Sequence, residues 1–449
     1  MKALLRSIAI AALAGAGLTL LNPIAAVSFA LAAETAAVAG SHVTDEVLVK
    51  FKPVFAAQNR TATVAARGHA FLANLNQSGW VRVKFGARQS MAQALAAYRN
   101  DPDVEYDQPN YIYRATAAPN DTQYGQLWAL TNIGQSIGTA TYTPASGTLG
   151  ADINVEKAWD HITDCSSVVV AVVDTGVNYT QEDLAGNMWN GGSGFPKHGT
   201  DFVANDNDPM DLNGHGTHVA GIIGAAGNNA TGTTGVCWKA RIMAVRVLDA
   251  AGNGTSAGVI QGISFAVSQG AKVINMSLAG GGAFDRAFSD AITHAQANDV
   301  AVVVGAGNEA KDNDAGGARY PCNFTHPNLA CVAALDQNYA LASFSSWGAT
   351  SVDVGAPGTN ILSTWIGLSA SIYNTISGTS MASGEVAGLA AMLRAYNPQF
   401  TFTDVVNAIT KGGRAAASLA GKTVLGNGID VMSSLAFINP PTGLTATVQ

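Results

Sequence analysis

The sequence predicts an α/β fold, a mostly parallel sheet with helices on both faces, preceded by a small α+β unit. Three observations carry this prediction. From about Asp152 onward, apolar runs alternate with helix-like stretches, the pattern of successive β-α units. Val168–Val173 is apolar without interruption, as expected of a strand covered on both faces. Ahead of this region, a segment of roughly 70 residues has a different rhythm and a size at which a domain is marginal alone.

In the small unit, Val47–Phe51 reads as a strand, followed by a helical stretch and then strand Val81–Phe85. Met91–Arg99 reads as a helix, and Val104–Tyr106 and Tyr111–Tyr113 as extended pieces. Ala115–Asn120 has no periodicity and reads as a linker. In the large region the expected order is helix His215–Ala226, strand Ile242–Leu248, helix Val259–Gln269, strand Lys272–Met276, helix Phe284–Asn298 and strand Val300–Gly305. Ser380–Tyr396 has helical spacing, with Val386, Leu389, Ala390 and Leu393 on one face.

Bulk composition narrows the function classes. A chain of 449 residues exceeds one ordinary domain, and its 48% apolar and 12% charged residues bury a large core easily. The net charge of −7 offers no basic surface for nucleic acid. Partners are therefore expected among peptides, neutral polymers or cations.

The N-terminus looks like an export signal. Lys2 and Arg6 precede an apolar run, Ile8–Leu21, and Ala30-Leu31-Ala32 resembles a small-residue cleavage site. The alternative is a membrane anchor, since the apolar stretch continues to Ala33; cleavage and secretion, without a stable anchor, are the expectation. An oxidising compartment favours a disulfide between Cys322 and Cys331, which flank one short loop. Cys165 and Cys237 each precede an apolar strand; they pair if those strands are neighbours and are otherwise two buried thiols.

Three segments carry chemistry. The first strand ends in Val173-Asp174-Thr175-Gly176, which puts a carboxylate at the carboxyl edge of the sheet, where open α/β folds keep their sites. Alone, such an Asp is usually a cap or a turn. Asn213-Gly214-His215-Gly216-Thr217-His218 enters an apolar helix. His218 reads as structural; an H-x-x-H zinc pair is the weaker alternative, because no third ligand motif follows. In Ser377-Gly378-Thr379-Ser380-Met381-Ala382 a serine opens a helix, where free N–H groups favour developing negative charge. A serine hydroxyl needs a histidine to take its proton and a carboxylate to orient that histidine.

Taken in the order Asp, His, Ser, these motifs resemble those of the subtilase family from about Asp121 to Val431. The resemblance implies a serine endopeptidase acting on protein or peptide substrates, with Ser380 as nucleophile, His215 as base and acid, and Asp174 as its orienter. Gly305-Ala306-Gly307-Asn308 matches a further family motif, which implies Asn308 as oxyanion donor beside the Ser380 N–H, and Gly305, Ala306 and Gly307 among the substrate-binding residues. The family holds a peptide as an added strand between two segments, here Gly252-Asn253-Gly254 and Ser277-Leu278-Ala279. Ser256 stands where several members carry a bulky aromatic, and Arg319 falls near the expected pocket floor, within reach of Glu309.

Two loops resemble calcium sites of the family, the second of them a further site of its thermitase-like members. In Gly227–Gly235 the implied ligands are the Asn229 side chain and the carbonyls of Gly227, Thr231 and Thr233, with carboxylates from Asp121 and Asp183. The second loop, Asp201–Asp208, offers Asp201, Asp206 and Asp208, whose crowding would be repulsive without a cation. Solvated Asx-rich turns are the plain alternative for both.

The preceding unit resembles the family's inhibitory propeptide in Ala96–Pro102 and Glu105–Asn110. The implied organisation is a signal peptide over 1–33, a self-cleaved propeptide over 34–117, a catalytic domain over 118–438 acting as a monomer, and a tail over 439–449. Pro440–Ala446 is either that plain tail or the opening strand of a fibronectin-like module.

One departure stands out. The family continues Ser-Met-Ala-Ser-Pro-His, whereas this chain has Ser383-Gly384-Glu385. That leaves a catalytically weak, peptide-binding relative as the second reading. A nucleotide-binding enzyme is the third, because Gly252-x-Gly254-x-x-Ala257 follows a strand and opens a helix. The next strand ends Ile274-Asn275-Met276-Ser277, without the acidic residue a ribose requires.

Overall fold

The computed structural model describes residues 42–438, apart from 54, 56, 76–77, 112–117, 138–144, 317 and 368–371. The signal-like segment 1–33, the start of the expected linker and the tail with Pro440–Ala446 lie outside the described residues. Contacts divide the chain into two units, residues 1–114 and 115–449. No helix among the described residues is long and apolar enough to cross a membrane.

Among the described residues the first unit is a four-stranded antiparallel sheet with two helices. Its elements are β1 (His42–Phe51), α1 (Ala57–Ala65), β2 (Ala70–Asn74), β3 (Trp80–Lys84), α2 (Met91–Arg99) and β4 (Val104–Tyr111), with the strands in the order β2-β3-β1-β4. Alternation explains the core: Val47, Val49 and Phe51 of β1 and Val81 and Val83 of β3 point inward onto Leu95 and Tyr98 of α2. Ser90 and Gln93 form a capping box that starts α2. β4 continues past the expected Val104–Tyr106 as far as Tyr111, while Ile112 and Tyr113 of the second expected piece lie outside the described residues; it accommodates Pro109 because it lies at the sheet edge. The sequence reading passed over β2, Ala-Phe-Leu-Ala-Asn, in which adjacent Phe71 and Leu72 break the apolar–polar alternation.

The second unit is built on a nine-stranded sheet. Its main strands are β5 (Val170–Asp174), β6 (Gly199–Asp201), β7 (Ile242–Arg246), β8 (Val273–Met276), β9 (Ala301–Gly305), β10 (Leu329–Leu335) and β11 (Val354–Pro357). A hairpin of β12 (Ile361–Thr364) and β13 (Tyr373–Ile376) stands apart, and β14 (Arg414–Ala415) and β15 (Asn427–Gly428) complete one edge. The order is β14-β15-β11-β10-β9-β8-β5-β7-β6, with every pair parallel except β14 against β15.

Helices cover both faces, as expected. They are α3 (His215–Gly224), α4 (Ser256–Ser268), α5 (Arg286–Ala297), α6 (Thr379–Tyr396), α7 (Phe402–Lys411) and α8 (Val431–Ile438). The period of two within β5 sorts them. Val170 and Val172 join a core with Val219 and Ile223 of α3 and Val386 and Leu389 of α6. Ala171 and Val173 join the opposite core, with Val259 and Ile263 of α4 and Ile292 of α5. The uninterrupted apolar run of β5 thus reflects two covered faces.

Chain direction across the sheet reverses beside β5. β6 and β7 lie on one side of it, while β8, β9, β10 and β11 succeed one another on the other. Open α/β sheets place their crevice at such a switch, outside the carboxyl ends of the strands. Two disulfides tie the unit. Cys165–Cys237 closes because β5 and β7 are neighbours, in register Val170 to Ile242, and Cys322–Cys331 closes its nine-residue loop as expected.

Candidate active site

Asp174 is the last residue of β5 and is fully buried. Its Oδ1 accepts from Thr175 N at 2.7 Å and meets His215 Nδ1 at 2.7 Å, while its Oδ2 has no hydrogen-bond partner among the described residues. A carboxylate held this way fixes the imidazole tautomer, with the proton on Nδ1 and the lone pair on Nε2. Burial works against charging His215, but the charge and hydrogen bond of Asp174, reinforced by Asp211, outweigh it and raise its pKa above the ordinary value.

His215 is the first residue of α3, and the chain turns into the helix through Gly214 at φ 106°. The fully used carboxylate of Asp211 organises this entry: Oδ1 accepts from the N–H groups of Asn213 and Gly214, and Oδ2 from the N–H and hydroxyl of Thr217. Gly216 is required by proximity, since a Cβ there would stand 2.1 Å from the Gly176 carbonyl oxygen. His218 is buried one turn on, its Nε2 shared between the Ile361 and Asn374 carbonyls at 3.1 and 3.0 Å. Burial depresses its pKa to about 3, so it stays neutral as a structural histidine.

Ser380 stands in the first turn of α6 and is nearly buried. Its hydroxyl donates to the Ser277 carbonyl at 3.3 Å. In return the Ser277 hydroxyl donates to the Ser380 carbonyl at 3.1 Å and lies 2.8 Å from the Ser383 hydroxyl. The end of β8 is thereby fastened to the start of α6.

Thr379 supplies a second fastening. Its N–H and hydroxyl both donate to Asn308 Oδ1, at 2.9 and 3.0 Å, and its hydroxyl accepts from Gly307 N at 3.2 Å. Occupying Oδ1 in this way directs the Asn308 amide NH₂ to the other side, and Asn308 itself is exposed. Gly305, Ala306 and Gly307 are buried, with a Cβ on Gly305 meeting Thr379 Oγ1 at 2.9 Å. The structural roles of Thr379 and Asp211 were missed in the sequence. Thr379 lies inside the quoted serine motif and Asp211 two residues ahead of the histidine motif, but only the hydrogen bonds reveal their roles.

Beside His215 lies an open cleft of about 590 Å³. Its lining includes Gly252, Asn253 and Gly254, Ser277, Leu278 and Ala279, and also Ser256 and Tyr320. Arg319 meets Glu309 at 3.3 Å, as the sequence reading anticipated.

In the first candidate metal loop, Asp183 is fully buried and accepts from Asn229 Nδ2 at 2.9 Å, Thr233 N at 2.9 Å and the Tyr373 hydroxyl at 2.8 Å. Asp121 accepts from Asn228 N at 2.7 Å. Burial raises the pKa of both carboxyls, and for Asp183 the charge of Asp121 adds to this.

The second loop is different. Asp201 pairs with Arg246 at 2.6 Å and also caps Val203 and Ala204, Asp208 pairs with Lys197, and Asp206 accepts from Asp208 N at 2.8 Å. The repulsion expected of Asp201, Asp206 and Asp208 is therefore relieved by Arg246 and Lys197, so their crowding does not itself require a bound ion. Among the described residues no three His, Cys, Asp or Glu side chains converge as a metal group.

Fold and site together define a protease class. The Subtilase family model matches residues 166–428, and the Fervidolysin N-terminal prodomain model matches residues 29–110. This chain belongs to the subtilase family and is a serine endopeptidase with an N-terminal prodomain. It is 39% identical over 357 residues to the thermophilic serine proteinase of Bacillus sp. (strain AK1), covering 79% of each chain. It is 44% identical over 241 residues to thermitase of Thermoactinomyces vulgaris, covering 54% of this chain and 79% of that one. Among solved structures, a protease from Pseudoalteromonas arctica aligns with a TM-score of 0.60 at 28% identity, over 72% of this chain and 100% of that one.

Proposed function

We propose that Ser380, His215 and Asp174 form the catalytic triad of a secreted endopeptidase that works through an acyl-enzyme. The observation that carries this reading is the 2.7 Å contact of His215 Nδ1 with the buried Asp174, at the sheet's switch point. In the reaction the Ser380 hydroxyl leaves the Ser277 carbonyl and bonds His215 Nε2. Nε2 takes the hydroxyl proton as Oγ attacks the scissile carbonyl, then gives that proton to the departing amine; water repeats the sequence to release the acid.

The tetrahedral oxyanion lies between the Ser380 N–H, free at a helix start, and the Asn308 amide. Loss of one such side-chain donor costs about 3 to 4 kcal/mol of transition-state stabilisation, a magnitude established on subtilisin itself, a member of this family. Gly252–Gly254 and Ser277–Ala279 flank the cleft as rails for an added substrate strand. Export rests on the signal-like N-terminus and accords with two disulfides.

The donor set of the first loop fits calcium: two buried carboxylates, a side-chain amide and backbone carbonyls are hard oxygens on a closed turn. Asp121, Asp183, Asn229, Gly227, Thr231 and Thr233 would hold the ion, whose contribution is structural.

The 34–117 segment acts as an inhibitory propeptide that the catalytic unit cuts off between Arg114 and Asn120. Expression of the Ser380→Ala chain alone tests both readings together. The variant should lose peptide hydrolysis and accumulate with its N-terminal unit attached. Normal maturation of that variant contradicts self-processing, and retained turnover contradicts the triad.

A further inference from the structure

Glu385 is the residue that the proposed mechanism leaves without a role. It lies in the second turn of α6, five residues after Ser380, and is 2% exposed. Its Oε2 is fully enclosed and has no hydrogen-bond partner among the described residues. That carboxyl borders a small void of about 10 Å³, the room of a single water.

The walls of the void come from several elements: Gln126 and Trp128 of the segment before β5, Ile222 of α3, Thr234 of the following loop and Leu362 of β12. No lining residue other than Glu385 is titratable. His218 of α3 bonds the carbonyl of Ile361, another wall residue, and is neutral there. Among the described residues no cation is hydrogen-bonded or ion-paired to Glu385, and burial alone acts on it.

The side chain has little freedom to leave. On either side of it α6 packs at near-backbone distance through glycines. A Cβ at Gly384 would stand 3.1 Å from Ile222 Cγ2, and one at Gly388 would stand 2.6 Å from Val236 Cβ. Burying an unpaired carboxylate is far costlier than burying a neutral acid. Consistent with this, burial pushes the pKa of Glu385 up to about 8.

We propose that Glu385 is a positioning residue that must be the uncharged acid for α6, and with it Ser380, to seat against α3 and the 126–130 segment. Ionisation draws the carboxylate toward water and loosens that seat, so Glu385 sets an alkaline limit on the fold and, through Ser380, on turnover. The link to turnover rests on the catalytic reading above; the link to stability does not.

The sign follows from proton counting. Between the ordinary carboxyl value of 4.5 and about 8, the folded chain holds a proton that the unfolded chain releases. Stability from this residue is complete below that window and is lost as pH rises through it, by up to tenfold in the folding equilibrium constant per pH unit.

The test compares unfolding of the full chain in the inactive Ser380→Ala background, with Glu385, Glu385→Gln and Glu385→Met, between about pH 5 and pH 9. The expected result is a steep alkaline loss with Glu385 that both neutral variants lack. Superimposable pH dependences would overturn the proposal. Should neither variant fold, the infrared carbonyl band of a buried protonated acid decides: its presence at about pH 6 and loss in alkali support the proposal, and its absence at about pH 6 overturns it. In the active chain, Glu385→Gln should keep neutral turnover and extend the alkaline limb; an unchanged limb contradicts the turnover link. Turnover surviving in Ser380→Ala would instead sink the catalytic reading while leaving the stability comparison valid.

Discussion

Asp174 and His215 illustrate how one strand end and one helix start generate chemistry from ordinary side chains. The Asp174 carboxylate gains two hydrogen bonds through a single oxygen and shows no surface to solvent, so its charge is felt by the imidazole with little screening. The consequence is a raised His215 pKa, and only the neutral ring accepts a proton from Ser380. Activity should therefore fall as pH drops through a value above 6.5, and the acid limb of kcat/KM should report it. In Asp174→Asn protein the limb should shift downward along with a rate loss on the order of 10⁴-fold. A limb unmoved by that substitution would mean that another group controls it. Ser380 was legible in the sequence because its motif is specific. Its present contact with the Ser277 carbonyl was not, since a rotamer depends on neighbours from a distant strand.

At the scale of elements, glycine decides which segments approach. Gly216 allows α3 to begin against the Gly176 carbonyl, which brings His215 to Asp174. Gly216→Ala should destabilise the fold by about 1 to 3 kcal/mol through overpacking and reduce turnover more than that loss explains, measured by denaturant unfolding and kcat together. The loop Gly227–Gly235 behaves as a second such element. Chelation should lower the unfolding midpoint of Ser380→Ala protein, and calcium at a hundredfold excess over its dissociation constant should restore about 2.7 kcal/mol. Asp183→Asn should abolish the calcium response; a response that survives would place the ion elsewhere. The alternating elements were readable because β5 and β9 are runs of valine and β7 carries Ile242, Met243 and Val245. β6 spans only Gly199–Asp201, and β10 is Leu-Ala-Cys-Val-Ala-Ala-Leu, whose small residues give no clear period. The acidic crowding of Asp201–Asp208 misled for a different reason. Arg246 is 45 positions away from Asp201 in sequence, so the partner is visible only once β6 lies beside β7.

For the molecule as a whole, the family and the order of its parts could be read from local motifs, while the long-range closure could not. Cys165 and Cys237 are 72 residues apart, and their pairing follows from strand adjacency rather than from spacing. In the chain-entropy account, a loop of that length adds roughly 4 kcal/mol of stability. Glu385 is the reverse case: conspicuous in sequence as a departure from the family, but interpretable only from its enclosed Oε2, which has no hydrogen-bond partner among the described residues. The central claim is that Ser380 is an activated nucleophile. The measurement that tests it most directly is reaction of the mature enzyme with a fluorophosphonate, followed by mass mapping of the labelled peptide. The account predicts rapid modification at Ser380 alone, one label per chain, with peptidase activity lost in the same proportion. An unlabelled Ser380 in a protein that still hydrolyses peptides would contradict it.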